Sequence, residues 1–176
     1  MRVLICAMGV AACAASASAQ QFFQASDGTI DFSKAAFADP TDPANQDMIT
    51  GTVAITRGDR QGIYNILQEG TYEDFVSPLG TQWFFGGTVQ DVIDGTIGFG
   101  DFDTWENAHG SFPPGTVDVE AVLYLEDDDA YLDITFTEWG QGASGGAFSY
   151  TRAIIPAPGT LALLGLGGMI ATRRRR

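Results

Sequence analysis

The chain has 176 residues, of which 45% are hydrophobic and 18% charged, and its formal net charge is −13. This composition is too apolar for a disordered chain, and the length suffices for one domain with a substantial core. All 22 acidic residues but only four basic ones lie within residues 20–155, so that segment carries a net charge of −18. Such a charge excludes the complementarity that nucleic acids and anionic membrane surfaces require.

Residues 1–19 have the pattern of a secretory signal peptide. Arg2 supplies a positive start, residues 3–12 are apolar, and Ala17 and Ala19 form a small-x-small cleavage site. The pattern predicts export, cleavage by signal peptidase and a mature chain that starts at residue 20.

Both cysteines of the chain, Cys6 and Cys13, fall within this predicted signal peptide. Residues 10–13 are similar to a lipobox, which leaves lipoprotein processing as an alternative. After cleavage at residue 20 no cysteine remains to form a disulfide, so we expect core burial or a bound ion to stabilise the domain.

Short β-forming runs alternate with turn residues over most of the remaining chain. The clearest predicted strands cover residues 117–125 and 131–139, and in the second Leu132, Ile134 and Phe136 share one face. Further strands are predicted over residues 50–56, 63–67, 83–89 and 147–153, with a β-rich run over 92–99 that turns at Asp94 and Gly95. A short helix is predicted over 102–109 and irregular structure over 21–46. This succession predicts an all-β domain over residues 20–155, either an antiparallel β-sandwich or a jelly roll.

The C-terminal segment, residues 156–176, combines a proline motif, an apolar run and a basic end. The motif consists of Pro156, Ala157, Pro158, Gly159 and Thr160, the run covers residues 161–170, and the basic end is Arg173, Arg174, Arg175 and Arg176. The segment resembles the PEP-CTERM sorting signal of bacteria that make extracellular polymer, with Ala157 where that signal usually has glutamate.

This resemblance implies a partner, an exosortase-type sorting enzyme, and a route. The C-terminal hydrophobic helix would anchor the chain transiently in the inner membrane with its arginines inside, before delivery to the cell surface or extracellular matrix. Residues 53–152 also resemble a type of exported bacterial β domain found with such tails, which implies no catalytic activity.

Two groups of carboxylates suggest calcium, a cation that prefers oxygen ligands. One group is Asp101, Asp103 and Glu106, and the other is the loop formed by Glu126, Asp127, Asp128 and Asp129. The alternative for the loop is a solvated hairpin tip whose charges prevent edge-to-edge aggregation. Apart from this possible calcium, the sequence predicts no cofactor.

Aromatic side chains suggest a second kind of site. Trp83, Trp105 and Trp139 could form a face for sugar rings, with Trp105 and Trp139 the main candidates, and the alternative is that all three belong to the core. Arg57 and Arg152 are scarce cations that we expect to pair with carboxylates such as Glu73 or Asp133. The single histidine, His109, is expected to be a surface or capping residue.

Residues 142–146 match the pattern Gly-x-Ser-x-Gly, but a strand follows them and no histidine does, so they are not a nucleophile elbow. The sequence therefore predicts a non-enzymatic exported protein of the cell surface or extracellular matrix. The alternative is a calcium-dependent module that binds exopolysaccharide, and a more distant one is a polysaccharide hydrolase.

Overall fold

The computed structural model of the chain describes residues 19–156. The predicted signal peptide and sorting tail lie outside the described residues, apart from Ala19 and Pro156 at their boundaries. Neither helix within residues 19–156 has the length and apolar composition needed to cross a membrane.

Strands dominate the described part of the chain, and the two α-helices are short. The elements in chain order are β1 (Gln21–Phe23), β2 (Thr29–Lys34), β3 (Asp47–Met48), β4 (Ala54–Arg57), β5 (Ile63–Asn65), β6 (Thr81–Phe85), α1 (Val89–Ile93), α2 (Trp105–Ala108), β7 (Glu120–Leu125), β8 (Ala130–Trp139) and β9 (Phe148–Ala153).

The strands form two sheets. The larger has the order β2-β9-β8-β7-β6, with β1 joined to the start of β8, and the smaller has the order β3-β4-β5. Strand pairing is antiparallel except between β1 and β8. The prediction of an all-β, antiparallel domain is therefore confirmed at this level.

The alternation of buried and less buried side chains along β8 explains how the two sheets share a core. Leu132, Ile134 and Phe136 are buried, and they belong to the same apolar cluster as Ile55 of β4 and Ile63 of β5. Burying side chains of this size contributes about 1.5–3 kcal/mol each. The packing of the two sheets therefore rests on the period-two pattern of the strands.

Two predictions for the chain outside the long strands were wrong. Residues 92–99 contain the predicted turn at Asp94 and Gly95 but no strand. They begin within helix α1, which is capped because the Asp91 carboxylate accepts hydrogen bonds from the backbone N–H and hydroxyl of Thr88, both at 2.8 Å. Residues 21–46 are not wholly irregular, because they contain β1 and β2, and β2 pairs with β9 along its whole length.

The two sheets are also joined by a buried ion pair. Arg152 of β9 contacts Asp47 of β3, not Glu73 or Asp133 as predicted. Asp133 instead accepts hydrogen bonds from the backbone N–H of Val89, at 2.6 Å, and of Ala25, at 2.9 Å. It thereby fixes the start of α1 against β8.

Candidate ligand-binding cleft

A cleft of about 370 Å³ opens beside the end of β8. This volume lies at the lower end of the range of small-molecule sites, about 300–1,000 Å³. The cleft lies among the β4–β5 loop, the segment around residue 72, helix α2 with its following loop, and the end of β8. Its wall includes Arg57, Gln61, Tyr72, Trp105, His109 and Trp139.

Four of these side chains form a continuous stack. The guanidinium carbon of Arg57 lies 3.7 Å from the centre of the Trp139 ring, a cation–π contact. The Trp139 ring lies 5.2 Å from that of Trp105, and the Trp105 ring lies 4.1 Å from the imidazole of His109 in an edge-to-face arrangement. The stack joins β4, β8 and α2 into one wall.

The close packing of this wall depends on a glycine in the β4–β5 loop. A Cβ at Gly62 would press against the ring of Tyr72 and come within 2.7 Å of the Trp105 ring. Any larger residue would therefore push α2 away from the loop. Asp103, two residues before α2, joins the start of this helix to β6, because its backbone exchanges two hydrogen bonds with Trp83, of 2.8 and 3.1 Å.

Two buried N–H groups of the stack have no acceptor among residues 19–156. His109 Nδ1 accepts a hydrogen bond from the backbone N–H of Phe112 at 3.0 Å, so the neutral ring carries its proton on Nε2. That Nε2 and the indole Nε1 of Trp105 are buried without a partner. A buried donor left without an acceptor costs about 1–3 kcal/mol, so an acceptor oxygen that reached either group would remove this cost.

His109 is a neutral donor at physiological pH. Burial lowers the pKa of its imidazole below the ordinary value of about 6.5, and the charge of Glu106 opposes this only in part. The ring therefore offers its Nε2–H without adding a positive charge.

Arg57 is the cation of the cleft, and its side chain is only 2% exposed. Its Nε donates to the carbonyl of Gln61 and its Nη1 to the carbonyl of Ala147, both at 2.9 Å. No carboxylate within residues 19–156 pairs with it. Burial lowers the pKa of Arg57 to about 10, so the guanidinium remains charged at neutral pH.

Two carboxylates also line the cleft, those of Asp74 and Glu106. Glu106 Oε2 accepts hydrogen bonds from the hydroxyl of Tyr72 and from the backbone N–H of Phe75. Burial, together with this bond to Glu106, raises the pKa of Tyr72. The Glu106 carboxylate is thus held against the protein, and it positions Tyr72.

The first predicted calcium group is divided between separate local structures. Asp101 accepts from the backbone N–H of Gly98, Asp103 from that of Thr104 and from the side chain of Asn107, and Glu106 lies in the cleft. Within residues 19–156 no three His, Cys, Asp or Glu side chains are grouped so that they could hold a metal ion.

The second predicted calcium group, Glu126–Asp129, forms the tip of the β7–β8 hairpin. Glu126 accepts a hydrogen bond from Gln82 at 2.7 Å. Asp129 accepts one from the Tyr124 hydroxyl at 3.2 Å and one from Gln20 at 3.3 Å. Two of the four carboxylates are thus engaged with neighbouring strands.

The structure brings together the two tryptophans that the sequence singled out for a sugar face. Neither tryptophan has a fully open ring face for stacking on a sugar, because Trp105 is only 1% exposed and Arg57 covers one face of Trp139. His109 is the C-cap residue of α2, in agreement with the predicted capping role, but sequence reasoning placed neither His109 nor Arg57 in a cleft. The available signal for Arg57 was its place after the apolar residues of β4, where a cation is unusual.

Comparisons of this chain with protein-family models, with curated proteins and with solved structures found no match.

Proposed function

We propose that this chain is a non-enzymatic protein of the cell surface or extracellular matrix that adheres to carbohydrate through the cleft beside β8. The domain over residues 20–155 would fold as a β-sandwich from its two sheets. Signal peptidase would remove residues 1–19, and an exosortase-type enzyme would read the tail. The route through the inner membrane to the cell exterior rests on the sequence patterns at the two ends.

A single observation supports the binding proposal: Trp105 and His109, which line one cleft, each carry a buried N–H group without an acceptor within residues 19–156. Sugars are rich in hydroxyl and ring oxygens that accept such bonds. The amide side chains of Gln61 and Gln141 line the same cleft, and can both donate to and accept from hydroxyl groups. The partly exposed Trp139 supplies an apolar surface for sugar C–H groups.

Affinity electrophoresis of the purified full-length chain tests this proposal. Native gels would contain neutral polysaccharides (cellulose derivatives and xylan) or acidic ones (xanthan and alginate), with calcium or with EDTA. We expect retardation by at least one polymer in EDTA, because the proposed site uses N–H donors. Migration unchanged by every polymer would contradict the proposal.

A matched pair of variants locates the site. Trp105→Phe keeps an aromatic ring and removes the unpartnered N–H, whereas Tyr124→Phe removes one polar hydrogen from a side chain that does not line the cleft. We expect Trp105→Phe to weaken retardation and Tyr124→Phe to leave it unchanged. Equal effects would show that binding occurs elsewhere.

The two alternatives from the sequence have distinct readouts in the same experiment. Retardation only in calcium would favour the calcium-dependent module. Release of new reducing ends from the polymer would favour a hydrolase, with Asp74 and Glu106 as the carboxylates in the cleft.

A further inference from the structure

We infer that the carbohydrate recognised in the cleft carries a carboxylate, as a uronic acid does, and that this carboxylate pairs with Arg57. The inference rests on the proposed function and specifies its ligand. It starts from an imbalance: a guanidinium almost completely removed from solvent has no anionic partner within residues 19–156.

Burying a cation without a counter-charge is costly, so buried arginines are normally paired. The contacts of Arg57 only partly offset this cost. Two backbone carbonyls accept from Nε and Nη1, and the face of Trp139 lies against the planar group. Nη2 forms no hydrogen bond within the described chain, although Arg57 lines the cleft. An anion in the cleft would complete the guanidinium's hydrogen bonds.

The pKa of Arg57 is consistent with this geometry. Burial alone lowers it, and no neighbouring carboxylate raises it. The domain has 22 acidic residues, yet no carboxylate within residues 19–156 lies within salt-bridge distance of this cation. Arg152, the other arginine of the strands, shows the contrast, because Asp47 pairs with it directly.

The negative charge in and around the cleft determines which kind of anion can bind there. Asp74 and Glu106 line the same cleft, and residues 20–155 carry a net charge of −18. A phosphate group, with a charge of about −1.5 to −2, would be repelled more than a singly charged carboxylate. A dense polyanion would be repelled at every unit. The ligand that fits is therefore a single uronate unit within a largely neutral polysaccharide.

The two neutral donors complete this assignment. When the carboxylate binds at Arg57, the adjacent wall of the cleft presents Trp105 and His109. Their N–H groups have no acceptor within residues 19–156, and a small shift of the two rings would expose them to the hydroxyl or ring oxygens of the same sugar unit. A plain carboxylate such as acetate lacks these oxygens, so we expect it to compete poorly.

The test compares a uronate polymer with its carboxyl-reduced form. Isothermal titration would use the full-length chain with depyruvylated xanthan, whose remaining acid is glucuronate, and with the same polymer after its carboxyl groups are reduced to alcohols. Charge-assisted hydrogen bonds are among the strong ones, so we expect reduction to weaken binding about tenfold or more. Free glucuronate should compete better than glucose, acetate or glucose 6-phosphate.

A pair of variants tests whether the preference for the acidic polymer over its carboxyl-reduced form depends on Arg57. Arg57→Gln removes the cation of the cleft, and Arg60→Gln removes an equal charge from a nearby exposed side chain that does not line it. We expect Arg57→Gln to bind both polymers with equal, weak affinity and Arg60→Gln to keep the preference. The melting temperature of each variant verifies that it folds, and the comparison on the unaltered protein needs no variant.

The outcomes separate the two proposals. Equal binding of the acidic and reduced polymers by the unaltered protein would overturn the uronate inference and leave carbohydrate binding standing. Stronger competition by glucose 6-phosphate would also overturn it, in favour of a phosphorylated sugar. Failure of every polysaccharide in the panel to bind would overturn the proposed function itself.

Discussion

The carboxylate of Asp47 accepts two hydrogen bonds from Arg152, from Nε at 2.6 Å and from Nη2 at 2.9 Å. The pair is buried between the small and large sheets, and Tyr150 donates its hydroxyl to the same carboxylate at 2.7 Å. Burial, with the charge of Asp47, raises the pKa of Tyr150 well above its ordinary value. The three residues join β3 to β9 by charge and hydrogen bonding.

We predict that Asp47→Ala destabilises the fold by about 3–5 kcal/mol, because it leaves Arg152 buried without a partner. Urea denaturation measures the change in the free energy of unfolding. Asp127→Ala, at an exposed position of the hairpin tip, is the matched control, and we expect it to change the stability by less than about 0.5 kcal/mol. Similar losses for the two variants would contradict the structural role of the pair.

The second prediction concerns the glycine turn before β9. Gly146 has φ +64°, and a Cβ there would overlap the carbonyl oxygen of Gly58. Gly110 has nearly the same φ, +65°, but open space around it. We expect Gly110→Ala to cost about 1–2 kcal/mol from backbone strain, and Gly146→Ala to cost at least 1–3 kcal/mol more from the clash.

Thermal and urea unfolding of both glycine variants would measure this difference. Equal costs would mean that the two loops do not approach as closely as the structure shows. A larger cost at Gly146 than at Gly110 would also explain the Gly-x-Ser-x-Gly pattern at residues 142–146. The last glycine of this pattern would then be required for packing against the β4–β5 loop.

The third prediction concerns pH. His109 is the only histidine, and burial lowers its pKa. As the pH falls below about 6.5, the unfolded chain takes up a proton that the folded chain binds more weakly. Stability is therefore complete above the unfolded pKa and decreases as the pH falls towards the folded one.

His109→Asn removes this titration and keeps an acceptor for the N–H of Phe112. We expect the melting temperature of the unaltered protein to fall more steeply between pH 7 and 5.5 than that of the variant. Carboxylates titrate in both proteins, so the difference isolates His109. Parallel profiles would contradict a buried, neutral imidazole.

The fourth prediction concerns calcium. The described carboxylates of Asp101, Asp103 and Glu106 accept hydrogen bonds within the protein. We therefore expect millimolar calcium to raise the melting temperature of an EDTA-treated sample no more than magnesium does. A ligand specific to the folded state must raise it, so a calcium-specific increase would support the sequence-based calcium prediction instead.

Local patterns of the sequence were sufficient to predict the long strands of the fold. The alternation around Leu132 and Ile134 requires one buried face, and β8 has it. The same reasoning failed for residues 92–99, where the cap formed by Asp91 decides the local structure. Strand β2 was missed because most of its residues are exposed and the strand with which it pairs, β9, lies more than 100 residues later in the chain.

Only part of the cleft could be predicted from the sequence. Trp105 and Trp139 were identified by residue type, but their contact depends on how α2 packs against β8. Within residues 19–156, Arg57 has no carboxylate paired with it, and His109 Nε2 has no hydrogen-bond acceptor. The proposed roles of both residues depend on these missing partners. Such imbalances appear only when residues far apart in the chain are placed together.

The most direct test of the carbohydrate site uses the three indole N–H signals of the protein. Trp83 provides an internal control, because its Nε1 already donates to the Thr81 hydroxyl at 2.9 Å in the core. Trp105 Nε1 has no acceptor from the described chain, and Trp105→Phe assigns its signal in a nitrogen–proton correlation spectrum. The measurement is a titration of the labelled full-length chain with glucuronate-containing oligosaccharides from depyruvylated xanthan. We predict that the Trp105 signal shifts downfield as it gains a hydrogen bond, while that of Trp83 stays in place. An unchanged Trp105 signal at saturating ligand, or equal shifts of both signals, would contradict binding in the cleft.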